Sequence, residues 1–458
     1  MKNELKVYDK YSQKLLKSLP MASEAEVENV MVLSESAFTL ERKRSAGERY
    51  NRLEKIIQLY QSRKKEFAQL ISAEAGKPIG YANAEADRVL ATLVWALEES
   101  RRVGGEVVPM DFNHGMGLSA MTRRFPIGPI IAISPFNFPL NLAIHKIAPA
   151  LACGCSIVVK PSPFAPLSIL KFEELCREAQ VPQGLFQVVL CDNQLAEKMV
   201  RDDRFKMLSF TGSPTVGWML KNIAGKKKVI LELGGNAAVI VDETADINKA
   251  AAQVATGAFL YSGQICISTQ RVFVVESVFE DFQKKLLENV AKLKVGDPSD
   301  QMTTIGPLID RVHLNRIQSW VEEATAAGAK ILCGGEIIDS DKNLYAATVL
   351  TNVPRDQKVC REEAFGPIVV IEPVVDFEQA IKLANDSSFG LQAGVFSHDL
   401  NRMKKAHSEL EVGAVIMNGV PGYRIDHMPY GGVKDSGLGR EGPRYVIEEM
   451  TEPRLLVF

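Results

Sequence analysis

Long apolar runs are missing from the 458 residues: none reaches the length of a bilayer span, so no transmembrane helix is expected. Charge of one sign is missing as well. Lys and Arg number 54 against 56 Asp and Glu, a formal net charge of −2, which excludes the basic field of a nucleic-acid or anionic-membrane binder. The six histidines are scattered, and Cys153 and Cys155 form C-x-C after a helical pattern with no second pair at ligand spacing. They read as packing residues, and no metal site is predicted. An odd count of seven cysteines in so large a chain argues against a disulfide framework and for a reducing compartment. The first residues, Met-Lys-Asn-Glu-Leu-Lys-Val, carry basic side chains without an apolar core, so a cytoplasmic location is expected rather than a secretory leader. Low-complexity segments and tandem repeats are also absent.

What is present is an ordinary globular composition, 46% hydrophobic and 24% charged, over a length that suggests two or three domains. Apolar residues recur at helical spacing over 22–36, 46–75 and 82–102. A β-prone stretch from Leu118 to Phe125 follows, with the alternation of an edge strand. From Ile127 short apolar strands alternate with helices. Strands are predicted at 130–134, 156–160, 186–190, 207–211 and 229–233, with helices at 141–152, 167–179, 196–202 and 215–224 between them. A second series follows, with strands at 237–241, 271–275, 330–333, 368–372, 394–397 and 414–417 and helices at 247–260, 278–293, 311–328, 377–384 and 401–408. Such alternation predicts doubly wound, mainly parallel sheets that bind ligands beyond the carboxyl ends of their strands. The apolar ending Arg454-Leu-Leu-Val-Phe reads as a strand that needs a partner, such as another subunit.

Chemistry-bearing residues cluster at the predicted strand ends. Glu232 stands before Gly234-Gly235, and Cys266 sits in a polar break after a helix. Taken alone, a carboxylate is usually solvated and a cysteine usually a small buried hydrophobe. Asn137, in Ser-Pro-Phe-Asn-Phe-Pro, could donate to an oxygen gaining charge or simply satisfy a turn. Lys160 ends the second strand and could hold a phosphate or ribose. Gly212-Ser213-Pro214 closes the fourth strand and opens a helix whose free amides could face a pyrophosphate; a plain cap would look the same.

Taken together, Asn137, Lys160, Gly212-Ser213, Leu231-Glu-Leu-Gly-Gly-Asn, Gly263-Gln-Ile-Cys266, Glu363-Ala-Phe365-Gly-Pro and Pro429-Tyr-Gly-Gly-Val-Lys-Asp-Ser-Gly resemble the aldehyde dehydrogenase superfamily. The likeness runs in the family's order from about Val7 to the C-terminus. It implies an α/β fold of two Rossmann-like, doubly wound domains plus a β-flap that joins subunits into dimers or tetramers. The cofactor-binding domain would comprise 1–104 and 126–232, the catalytic domain 233–430, and the oligomerisation segments 105–125 and 431–458.

The resemblance also implies roles. Cys266 would be the nucleophile, and Asn137 with the Cys266 amide would stabilise the oxyanion. Glu232 would be the general base that activates water. Lys146 would assist a proton relay, unless it is a surface lysine. Lys160 and Glu363 would hold the two riboses, Phe365 and Phe136 would flank the nicotinamide end, and Gly212 and Ser213 would meet the pyrophosphate. NAD and NADP both stay open, with a slight preference for NAD, because Pro163 stands where strongly NAD-preferring relatives often carry a glutamate.

His145 and Tyr423-Arg424-Ile-Asp-His resemble a branch acting on lactaldehyde, glycolaldehyde, phosphonoacetaldehyde or sulfolactaldehyde. His145 and Arg424 would then suit a hydroxyl or small anion, unless they are a packed helix residue and a structural ion pair. Phe136 and Phe138 could line an apolar tunnel. The expectation is an NAD(P)-dependent, non-acylating dehydrogenase for a small polar aldehyde. CoA-acylating or semialdehyde-specific relatives, or an inactive binding protein, are the alternatives.

Overall fold

The computed structural model describes residues 4–458. Its first sheet has six strands, in the order Gly437–Leu438, Lys228–Glu232, Met207–Thr211, Ile130–Ile133, Ile157–Lys160 and Phe186–Val188. The strands from 130 to 232 pair in parallel. They can do so because Ile130–Ala132 and Ile157–Val159 are apolar on both faces and lie under helices on both sides. The helices Ala46–Ala75, Ile79–Ser100, Asn141–Cys153 and Leu167–Glu178 cover one face. Glu24–Glu41, Asn193–Arg201 and Pro214–Ile223 cover the other. Ser23 and Ser45 start the first two helices with capping boxes to Glu26 and Glu48.

The second sheet has seven strands, ordered Lys330–Cys333, Thr348–Thr351, Ile368–Val374, Thr269–Val275, Ala237–Val241, Gln392–Phe396 and Ala414–Met417. All of its pairings are parallel except that of the 330–333 edge. Both doubly wound sheets expected from the alternation are present. Thr348–Thr351 was not anticipated. The hairpin of Glu4–Tyr8 with Leu15–Pro20 was not anticipated either. A third sheet pairs Thr451–Val457 along the whole of Ala120–Pro126, with Val107–Val108 on the far side.

Of the segment 431–458, only Thr451–Val457 lies in that third sheet. Gly437–Leu438 adds antiparallel to Leu231–Glu232, and Pro443–Glu449 packs on the helix Asn141–Cys153. The chain therefore returns to the first sheet before it leaves for the third.

Asn141–Cys153 is buried along its whole length and has no cap from its own preceding residue, Leu140. The cap comes from elsewhere: Glu85 Oε1 accepts the amides of Leu140 and Asn141, both at 3.1 Å. The other oxygen of Glu85 pairs with Lys77, and both side chains are fully buried. Lys77 Nζ lies 3.6 Å from the centre of the Phe138 ring. Glu85→Ala would leave a buried ammonium and two helix-end amides without their acceptor. The loss expected is about 3–5 kcal/mol of stability, read as a lower urea midpoint.

Candidate active site

A cleft of about 500 Å³ opens at the carboxyl ends of the first sheet. Ser134, Lys160, Thr211, Gly212 and Glu232 line it from that side, and Cys266, His313, Glu363 and Phe365 from the other. Asn137, Ser213 and Phe136 line it too. Residues far apart in sequence are thus brought to one cleft.

The close approach of the two central motifs depends on glycine. A Cβ on Gly235 would stand 2.3 Å from the Cys266 carbonyl oxygen, and one on Gly234 would stand 2.4 Å from Glu363 Oε2. The turn before the cysteine is held left-handed at three successive residues, Tyr261 (φ 48°), Ser262 (φ 59°) and Gly263 (φ 70°). Such a run is costly and persists only where contacts over-determine it. Here the Tyr261 hydroxyl donates to Ala75 O at 2.7 Å and Ser262 Oγ to Gly306 O at 2.8 Å. Gln264 spans two more anchors, donating to Pro307 O at 3.2 Å and accepting from Ile309 N at 2.9 Å. Asn137 Nδ2 donates to Gln264 O at 2.9 Å, which ties the amide to the cysteine loop.

Cys266 is partly open to the cleft but otherwise enclosed, and that burial pushes its thiol up to about 12. Its Sγ lies 3.1 Å from the Tyr430 hydroxyl. Glu232 is 3% exposed, and neither of its oxygens has a hydrogen-bond partner among the described residues. Burial first, and the nearby Glu441 second, raise its carboxyl well above the usual range. A carboxyl so placed holds its proton more tightly than a solvated one and is a stronger base once it ionises.

Lys146 is not a surface lysine. It is fully buried and bonds Glu441 Oε1 at 2.7 Å, while Arg424 Nη2 bonds Glu441 Oε2 at 3.1 Å. Burial opposes ionisation of Glu441, but Lys146 and Arg424 outweigh it and hold the carboxyl at about 2. Arg424 also lies 3.7 Å over the Tyr430 ring. His145 Nε2 meets Asp426 at 2.9 Å and Arg424 at 3.3 Å, and burial, then Arg424, lowers its basicity. Phe138 packs in the same apolar cluster as Cys266 and Tyr430. Lys146, His145, Arg424 and Phe138 thus form a layer behind Cys266 and Glu232 rather than the wall of the cleft.

Sequence reading assigned no role to Tyr430, Glu441, Asp426 or Arg88. Tyr430 lay inside the glycine-rich motif, and Glu441 stands just past its end, so a longer reading of that run would have reached it. Arg88, which bonds Asp426 at 2.7 Å across 338 residues, has no local signal.

The rest of the cleft fits a dinucleotide. Ser134 Oγ and Thr211 Oγ1 line it, buried and without partners. Ser213 begins the helix Pro214–Ile223 without capping it by its own side chain, so its first amides face outward. The Phe136 ring lies 5.8 Å from that of Phe365, edge-on. Glu363 accepts from Gly235 N at 3.1 Å, and burial pushes it up to about 7. A carboxyl raised in the fold costs nothing below its unfolded value near 4.5, and destabilises increasingly as pH rises towards 7. Glu363→Gln should therefore match the wild type in melting temperature near pH 4 and exceed it by several degrees above pH 7, measured without cofactor.

A profile of the aldehyde dehydrogenase family matches residues 1–456. The chain is 43% identical to 3-sulfolactaldehyde dehydrogenase of Priestia megaterium, over 99% of this chain and 94% of that one. It is 37% identical to lactaldehyde dehydrogenase of Methanococcus aeolicus, over 100% and 97% of the two chains. Among solved structures, glyceraldehyde-3-phosphate dehydrogenase GapN of Methanocaldococcus jannaschii, complexed with NADP, superposes with a TM-score of 0.95 at 36% identity, covering 100% of this chain and 99% of that one.

Proposed function

The chain belongs to the aldehyde dehydrogenase family, an oxidoreductase that takes a small aldehyde to its acid with a nicotinamide cofactor, and on that footing we propose which residues carry the reaction and which aldehyde they suit. The observation that carries the assignment is the convergence of Cys266, Glu232 and Asn137 on one cleft.

The Cys266 thiolate attacks the aldehyde carbon, and the oxygen that gains charge is met by Asn137 Nδ2 and the Cys266 amide. Lys160, the amides after Ser213, Glu363 and Phe365 would hold the cofactor. When bound, the cofactor accepts the hydride that leaves the tetrahedral adduct, and a thioester remains on Cys266. Glu232, once ionised, takes a proton from water, whose oxygen attacks the thioester; the acid departs and the thiol is restored. Lys146 and Glu441 set the field in which Glu232 ionises. A base in this position favours release by water over transfer to CoA.

The substrate we propose is a short aldehyde bearing a hydroxyl or an anionic group. Three cationic side chains, Arg88, Lys146 and Arg424, are paired with two carboxylates, Glu441 and Asp426. Among the described residues Arg424 Nε and His145 Nδ1 are buried without hydrogen-bond partners in the layer behind Cys266 and Glu232, so the cations there would act on an anionic substrate through their charge rather than by lining the cleft. The names of the sulfolactaldehyde and lactaldehyde relatives point the same way. Both NAD and NADP are proposed as cofactors, because Pro163 puts no charge beside the ribose held by Lys160.

The proposed division places cofactor binding in 1–104 and 126–232 and catalysis in 233–430; Val433–Lys434 pairs with Phe389–Gly390 of the catalytic half, and 437–450 packs on the cofactor half. Oligomerisation is assigned to 105–125 and Thr451–Val457, where Val107, Leu455, Leu456 and Val457 expose apolar surface on the open edges of the third sheet.

Cys266→Ala should abolish aldehyde oxidation. Glu232→Gln should give a burst of about one equivalent of reduced cofactor, followed by turnover about 100-fold or more below wild type. Wild-type kcat should climb with pH as Glu232 ionises, and an E232Q enzyme turning over at the wild-type rate would remove the base assignment. Pro163→Glu should raise KM for NADP about tenfold or more with little change for NAD, measured by parallel steady-state assays. The substrate class is checked by a panel of hydroxy-, sulfo- and unsubstituted short aldehydes. Arg424→Met should cost the anionic members most, and equal losses across the panel would reject the anion site.

A further inference from the structure

Cys266 is set where a thiolate is hard to form. Burial pushes the thiol up to about 12, and the two nearest carboxyls, Glu363 and Glu232, oppose a negative sulfur. A reactive cysteine ordinarily gains its charge from a neighbouring histidine, lysine or helix end. Among the described residues no hydrogen bond to Sγ comes from such a group. The contact Sγ does have is the Tyr430 hydroxyl, at 3.1 Å.

Tyr430 is 2% exposed, and the guanidinium of Arg424 lies 3.7 Å over its ring. Glu441 fixes that guanidinium through Nη2 at 3.1 Å. A cation over the ring draws electron density from the phenol and sharpens its O–H as a donor. The charged groups facing this pair are Arg424, Glu232 and Glu363 around the sulfur, with Lys146, Glu441 and Arg440 behind Glu232. Burial holds the phenol well above its ordinary value, so it keeps its proton where a thiolate forms.

We propose that Tyr430 is a further catalytic residue: its hydroxyl donates a hydrogen bond to the Cys266 thiolate, and Arg424, stacked on the ring, strengthens that donation. The hydroxyl favours the charged sulfur before attack on the aldehyde, and again when the thioester breaks and the sulfur departs. Tyr430 exchanges no proton in either step. Only the hydrogen bond is made or loosened as the sulfur gains or loses its charge. The proposal rests on Cys266 as the nucleophile, and it gives Arg424 a second task beside the anionic group of the substrate.

The test is Tyr430→Phe, which keeps the ring and removes the hydroxyl. In the cofactor-free enzyme, the rate of alkylation by iodoacetamide and the thiolate absorbance near 240 nm are followed against pH. Y430F should need a pH about one unit higher for half-maximal alkylation, and react about tenfold more slowly at pH 8. Its kcat/KM should fall about tenfold or more, mainly through kcat. Tyr430→Leu, which also removes the ring, should lose at least as much. If Y430F follows the wild-type curve and only Y430L is impaired, the ring is packing and the proposal is overturned. Mapping the alkylated peptide keeps the premise separate: full inactivation with no label on Cys266 would refute the nucleophile, whereas label on Cys266 with an unshifted curve would refute Tyr430. Wild-type melting temperature and cofactor affinity in Y430F establish that the fold is intact.

Discussion

Glu441 is a carboxylate withdrawn from water and bonded on both oxygens, to Lys146 at 2.7 Å and Arg424 at 3.1 Å. Ion pairs so deeply buried add little net stability, because desolvation cancels much of the attraction; their value lies in the arrangement they enforce. Here the arrangement is the site. Lys146 is held inward from a helix with no exposed face, Arg424 is held over Tyr430, and Tyr430 meets the thiol. Glu232 lies in the same field and has no partner of its own. One carboxylate takes up the cations, and the other is left to titrate.

This division explains how two glutamates in one buried region come to differ so far. Glu441 is held at about 2, while Glu232 is raised well above the usual range. The environment pushes the two carboxyls apart, the pattern by which paired acids come to split their tasks, and the proposed proton transfer falls to Glu232. The cysteine loop is built on the same logic of local cost met by distant support. Three left-handed residues in a row are held by carbonyls at positions 75 and 306, and Gly263 fits because it lacks a Cβ, which would stand 2.1 Å from Gly366 O.

Much of this was legible in the chain. The strand–helix alternation from Ile127 onward survives almost residue for residue, because short fully apolar strands between amphipathic helices leave few other solutions. Ala237–Val241, Met207–Thr211 and Ala414–Met417 match their expected limits. Asn137, Glu232, Cys266, Lys160 and Glu363 all meet in the cleft because each stands at a strand end or in a break, where side chains turn towards ligands. The charge layer behind them was not legible. Arg88 and Asp426 are 338 residues apart and Lys146 and Glu441 are 295 apart, and no periodicity reports a partner at such distance. Glu85 as the cap of a helix that starts at Asn141 is hidden for the same reason.

The pairing of Gly437–Leu438 with Leu231–Glu232 bears on the order in which the molecule becomes competent. During synthesis, the strand that carries Glu232 leaves the ribosome more than 200 residues before the strand that closes its edge. Until Gly437 arrives, the amides and carbonyls of that edge face water, and Glu232 lacks both its burial and the Glu441 beside it. A nascent chain can thus assemble its first sheet early, yet the acid there behaves as an ordinary carboxylate. The burial and the charge pairing that raise Glu232 are thus completed last, by the stretch of chain translated near the end.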